Sequence, residues 1–127
     1  MAKRRIIAGE GIPTHDQPFP TAVRVGNMIF SSAVGGRDAL SGATPEDKAA
    51  QVAQAFANMR RIVEEGGGSV DGIAKVVVYL NDRKDRDLVN AEWVRMFPDE
   101  TDRPVRHTME LPMTGHRMIQ LEFIAVV

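Results

Sequence analysis

The run Ile73-Ala74-Lys75-Val76-Val77-Val78-Tyr79-Leu80 narrows the folds open to this chain more than any other segment. It is β-branched and apolar with little alternation, the pattern of a strand covered on both faces. A helical pattern lies on each side of it. Upstream, Thr44 reads as an N-cap with Pro45 at the first helical position, and Glu46 and Asp47 complement the positive end of the dipole. Val52, Phe56, Met59 and Val63 follow at spacings of four, three and four, which makes one apolar stripe, and Gly66-Gly67-Gly68 ends the helix. Downstream, Asp85 reads as the cap of a second helix from about Arg86 to Phe97. Leu88, Ala91, Trp93, Val94 and Phe97 give it a broad apolar side, and Pro98 stops it.

The remaining patterned segments read as strands: Ala2 to Ala8, Thr21 to Gly26, Met28 to Ala33, Val105 to Leu111 and Met118 to Val127. Gly26-Asn27 joins two of them as a tight hairpin. Gly9 to Pro20 and Gly35 to Ala43 read as loops, and Pro112 to Arg117 as a turn. The order is β-ββ-α-β-α-ββ, an α+β sandwich with two helices on one face of a single mixed sheet. A length of 127 residues suits one domain spanning 1–127. Two helices cover only one sheet face, yet the central strand asks for cover on both. A second copy of the chain is the simplest cover, so the expectation is a homo-oligomer with clefts between subunits.

A net charge of -1 supplies no general basic field for nucleic acid or an anionic membrane. Lys3-Arg4-Arg5 leads straight into Ile6-Ile7 and reads as a solvated strand start. The absence of cysteine excludes disulfides and thiolate catalysis and fits a reducing cytoplasm. No apolar run has the length of a signal peptide or a membrane span. His15, His107 and His116 have no ligand-like spacing, so no metal is expected, and no Lys-Ser/Thr follows the glycine run, so it is not a phosphate loop.

Chemistry gathers near the C-terminus. In Arg103-Pro104-Val105-Arg106-His107, an arginine on a strand just after a proline is a rigid fork suited to a carboxylate. If the strand Met118-Ile119-Gln120-Leu121-Glu122-Phe123 faces the same cleft, Arg106 anchors an acid and Gln120 or Glu122 positions a water beside it. Alternation sends His107 to the face opposite Arg106, which makes Thr108 the better pocket residue.

With these segments in order, the chain resembles the reactive intermediate deaminase family, also called the Rid or YjgF family. The landmarks are Pro18-Phe19, Val25-Gly26-Asn27-Met28-Ile29 leading to Ser31-Ser32, Val76-Val77-Val78-Tyr79-Leu80-Asn81-Asp82, Val89-Asn90, Arg103-Pro104-Val105-Arg106 and Leu121-Glu122-Phe123-Ile124-Ala125-Val126. The resemblance implies a chorismate-mutase-like fold of the bacillus type, assembled as a homotrimeric barrel with helices outside and clefts between subunits. It also implies cofactor-independent hydrolysis of 2-imino acids to 2-keto acids and ammonia.

Residue by residue, the resemblance makes Arg106 the carboxylate anchor. It places Phe19, Ser32 and Ala33 around the substrate, makes Asn90 either pocket-lining or a support for the second helix, and puts Gln120 at the water-activating position; strand alternation adds Thr108 to the pocket and Glu122 to the Gln120 face. Three departures stand out. Gln120 replaces the usual glutamate, and an amide orients water without acting as a base. Phe19 keeps a ring where many members have tyrosine but lacks the hydroxyl, and Ala33 replaces a glycine. Glu122 shares a face with Gln120 but stands about 6.6 Å along the strand, a long reach for a substitute. A deaminase of aminomuconate-type ring-cleavage products and a non-catalytic small-carboxylate binder or sensor are the alternatives that these departures raise.

Overall fold

The computed structural model describes residues 3–127. Ala2, expected in the first strand, lies outside the described residues. Seven strands and two helices follow in chain order: β1 Arg5–Ile7, β2 Ala22–Val25, β3 Met28–Ser31, β4 Val34–Gly35, α1 Lys48–Glu65, β5 Ile73–Leu80, α2 Arg86–Met96, β6 Val105–Glu110 and β7 Ile119–Val126. The strands form one mixed sheet in the order β1-β2-β3-β7-β5-β6, with β4 also paired to β7. β5 and β6 run parallel, connected through α2, and the other pairs are antiparallel. This is the α+β layout expected from the sequence, with both helices over one sheet face.

The core lies between that face and the helices. Val52, Phe56, Met59 and Val63 of α1 are buried as the stripe predicts, with Ala55 and Ile62 beside them. They meet Val76, Val78 and Leu80 of β5 and Ile119, Leu121, Phe123 and Ala125 of β7, all buried. α2 contributes less than its sequence promises. Val89 and Trp93 are buried, whereas Ala91 and Val94 face outward because the helix lies at the sheet margin over β6.

β5 is not buried on both faces within one chain. Its core side alternates strictly at the distal end, while Lys75 is exposed and Val77 and Tyr79 are half-buried on the other side. That second face carries no helix, and Ile6, Met28, Phe30, Val105 and Val126 stand exposed across it.

Helix boundaries differ from the sequence reading at both starts. Asp47, not Thr44, caps α1: its side chain accepts from the Ala50 amide, and Pro45 sits before the helix with its carbonyl taken by Gln51. A carboxylate at Asp47 satisfies an orphan amide and so sets the start three residues later. Asp85 occupies the position before α2, but its carboxylate goes to Lys48 at 3.0 Å and not to the helix amides. A 3-10 turn, Arg83–Asp85, leads into that helix, and Asp82 caps it through the Lys84 amide.

At its other end α1 closes in a Schellman motif. The Gly68 amide bonds to the Val63 carbonyl, the Gly67 amide to the Glu64 carbonyl, and Gly67 takes φ +93°. Arg5 and Arg24 both donate to the Gly66 carbonyl, placing positive charge at the negative end of the dipole. The Gly26-Asn27 hairpin is present, with positive φ at Gly26 alone, the pattern of a II′ turn.

The expected Gly35 to Ala43 loop opens with a strand that the sequence reading missed. Ile29 pairs with Ala125 and Val34 with Leu121, so five steps on one strand oppose four on β7. Ser32 and Ala33 are the bulge, and the Ser31 hydroxyl accepts from the Phe123 amide beside it. Ile29 and Val34 are thereby both buried, although an unbroken strand would turn them to opposite faces.

Candidate active site

Arg106 lies on β6 opposite Val76, a fully buried residue, so its side chain rises on the helix-covered face. There α2 receives it. Its Nη2 donates to Asn90 Oδ1 at 2.7 Å, and the guanidinium carbon stands 5.0 Å from the centroid of the Trp93 ring. Burial, and secondarily the neighbouring charge of Arg86, pull its pKa below the ordinary arginine value. Among the described residues no carboxylate lies within ion-pair distance of it. A partly desolvated guanidinium fixed by one neutral hydrogen bond and an aromatic ring keeps its other donors for an incoming anion.

Thr108 is two residues along β6, on the same face as Arg106 and half-buried. His107 points to the other face and is exposed, as alternation requires. Arg106, Asn90 and Thr108 therefore form one cluster at the β6–α2 edge.

Gln120 belongs to a different cluster. It is paired with Tyr79 and Gly35 and alternates with buried Ile119 and Leu121, so it faces away from the helices. With Ala33 it lines a cavity of about 210 Å³, walled also by His15, Arg37, Gln51 and Arg117. The β4 bulge builds this cavity: the extra residue swings Ala33 outward beside Gln120 while Val34 returns to the core.

The other expected site residues lie outside this cavity. Phe19 is 52% exposed and packs at a tilt against His15, with ring centroids 4.4 Å apart, in a shallow hollow next to the Gln120 cavity. The Ser32 hydroxyl donates to the Thr21 carbonyl at 2.8 Å, which ties the bulge to the residue just before β2. Glu122 shares the Gln120 face but lines a separate depression with Phe30, Lys75 and Val77. Arg37 and Arg117 were not anticipated as site residues, since both lie in segments that read as loop or turn. Among the described residues, no cluster of His, Asp and Glu could hold a metal ion. No helix among them is long and apolar enough to cross a membrane.

Two helices on one face of a mixed sheet, with polar clefts at its margins, define an α+β protein of a well-populated class. Residues 12–127 match the sequence model of the family described as endoribonuclease L-PSP, and the chain belongs to that family, the YjgF/RutC or reactive intermediate deaminase family. The 2-iminobutanoate/2-iminopropanoate deaminase of Escherichia coli is 33% identical over 124 residues, covering 96% of this chain and 97% of the relative. A RutC family protein from Pasteurella multocida is 32% identical over 125 residues, covering 96% and 97%. The crystal structure of the YjgF gene product of E. coli superimposes with a TM-score of 0.87 at 33% identity, covering 96% of this chain and 98% of that one. That of E. coli TdcF with bound serine gives 0.89 at 26% identity, covering 97% and 98%.

Proposed function

We propose that this protein is a cofactor-independent deaminase that hydrolyses an imine or enamine bearing a carboxylate to the keto acid and ammonia. One observation carries the reading: Arg106 is a half-buried, rigidly held guanidinium with no acidic partner among the described residues. A cation so placed is stabilised by a ligand carboxylate, and a charge-assisted contact contributes about 1.5–3 kcal/mol. The deaminase relative at 33% identity supports the choice of chemistry.

The site is completed by a second copy. Arg106 and Gln120 lie on opposite faces of the sheet in one chain, so a substrate touching both sits between subunits. The uncovered apolar face supplies the surface for such an assembly, and the proposed form is the homotrimeric barrel of a chorismate-mutase-like fold. In the joint cleft, Arg106 of one copy holds the substrate carboxylate. Gln120 Oε1 of the other accepts a hydrogen bond from water and aims its oxygen at the imine carbon. Water adds to that carbon and one of its protons goes to the imine nitrogen; the remaining hydroxyl proton follows to nitrogen as the C–N bond breaks, so the carbonyl forms and ammonia departs. A glutamine removes no proton. A general base is worth about 10²–10⁴ in rate, a factor that a labile imine tolerates losing.

The glutamine also favours a second reading, a small-carboxylate binder that keeps the anchor without turnover. The test generates 2-iminopropanoate or 2-iminobutanoate in place with an amino-acid-deaminating enzyme and follows keto acid release. Acceleration over the spontaneous rate supports the deaminase; tight keto acid binding without acceleration supports the binder.

A further inference from the structure

The cavity that contains Gln120 has a composition the proposed chemistry does not require. Arg37, Arg117 and His15 lie on its wall, together with Pro13, Thr21, Ala33 and other neutral residues, and no aspartate or glutamate is among them. Neither arginine forms an ion pair with any described carboxylate. Arg37 donates through Nη2 to the Thr14 carbonyl, and Arg117 donates to the Thr114 hydroxyl and carbonyl. These acceptors are neutral, and each guanidinium has five N–H groups. Two cations with spare donors therefore share one concave surface. Where the resemblance would put a glutamate, this chain has the amide of Gln120.

The backbone under both arginines is held by buried amides. Gln51 and Asn58 are the two buried polar side chains among the described residues, at 1% and 2% exposure. Asn58 Nδ2 donates to the carbonyls of Gly35 and Arg37, each at 2.9 Å. Gln51 Nε2 donates to the His116 carbonyl at 3.0 Å, and its Oε1 accepts from the Met118 amide at 2.7 Å, bracketing Arg117 on both sides. Buried and fully satisfied amides of this kind fix a local geometry. Gly36 packs so closely that a Cβ there would stand 2.4 Å from the Gln51 carbonyl oxygen, which further locks the Arg37 segment against α1. The arginines thus rise from anchored backbone rather than from free loops.

We infer that Arg37 and Arg117 form a second anion subsite in the Gln120 cavity, so that the preferred substrate carries another acidic group beyond the carboxylate held by Arg106. The inference rests on the deaminase reading and extends it to a substrate class. It also gives Gln120 a physical reason: a glutamate beside a second anion would repel it, whereas an amide can donate to it.

The test is calorimetric titration with three keto acids: 2-oxobutanoate, 2-oxoglutarate and 2-oxo-4-phosphonobutanoate. The last two distinguish a terminal carboxylate from a terminal phosphonate. The parent protein is expected to bind at least one dianion about tenfold or more tighter than 2-oxobutanoate, the value of one charge-assisted contact. An Arg37→Gln/Arg117→Gln double variant, checked for native circular dichroism, is expected to bind all three alike. Equal affinities in the parent, with binding still lost in Arg106→Ala, overturn the subsite and leave the deaminase reading standing. A preference that survives in the double variant overturns the assignment to these arginines. No binding of any keto acid overturns both.

Discussion

Arg106 and Gln120 stand on opposite sides of one sheet: the first is registered to Val76 and leans on α2, the second is registered to Tyr79 and lines the cavity beside β4. In the proposed assembly the two half-sites meet across a boundary between copies, at the exposed apolar face around Phe30 and Val105.

Placing a charge on that face separates assembly from folding. Phe30 is 37% exposed and projects from β3 away from the helices. Phe30→Glu is expected to keep its circular dichroism but sediment as a monomer, and to lose keto acid binding at the same time. An assembly of parental size in sedimentation velocity would remove this face as the interface.

The anchor predicts graded losses. Arg106→Ala should weaken keto acid binding by at least about tenfold, the value of a charge-assisted contact. Asn90→Ala leaves the charge but frees the guanidinium, since the 2.7 Å hydrogen bond to Oδ1 disappears. Its effect on affinity should be smaller than that of Arg106→Ala. Titration of both variants checks the order, and a reversed order would mean that Asn90 itself contacts ligand.

Restoring a base at position 120 should change the pH profile as well as the rate. A carboxylate takes a proton only when ionised, so Gln120→Glu gains a limb along which activity rises with pH through the new pKa and then levels. The parent amide has no such limb. The expected gain in imine hydrolysis is up to about 10². A slower variant with a flat profile would show that the amide contributes by donating a hydrogen bond, in keeping with the second anion.

Gln51 ties the Pro45 and His116 carbonyls and the Met118 amide into the interior. Gln51→Ala leaves these groups without partners and opens a void, so a loss of about 2–3 kcal/mol is expected. Urea unfolding followed by tryptophan fluorescence measures it. A loss below about 0.5 kcal/mol would mean that water replaces the amide.

The fold was readable where periodicity and burial agree. The α1 stripe through Val52, Phe56, Met59 and Val63, the glycine terminator and the strand at Ile73–Leu80 all follow from local pattern. Helix starts were less legible because Thr44, Asp47 and Asp85 are all competent caps, and only tertiary contacts decide among them: Lys48 draws Asp85 away, and the Pro45 carbonyl is taken by Gln51. In the site, the β6 alternation that pairs Arg106 with Thr108 was visible. Its separation from Gln120 was not, because strand alternation gives relative faces only within a strand, and register between β5, β6 and β7 fixes the rest. Arg37 and Arg117 carried no signal at all. Their meeting depends on Asn58 and Gln51, whose interior amides look in sequence like ordinary helix-surface residues.

The surplus residue between Ile29 and Val34 makes chain length at this spot a determinant of sidedness. A natural or engineered variant lacking Ala33 would have to turn Val34 toward water or slide Gly35 off its partner Gln120. Alignments that gap freely across Ser31–Val34 would therefore compare unlike positions. Grafting a relative's segment here succeeds only when the donor keeps the same count between its two inward-facing aliphatics.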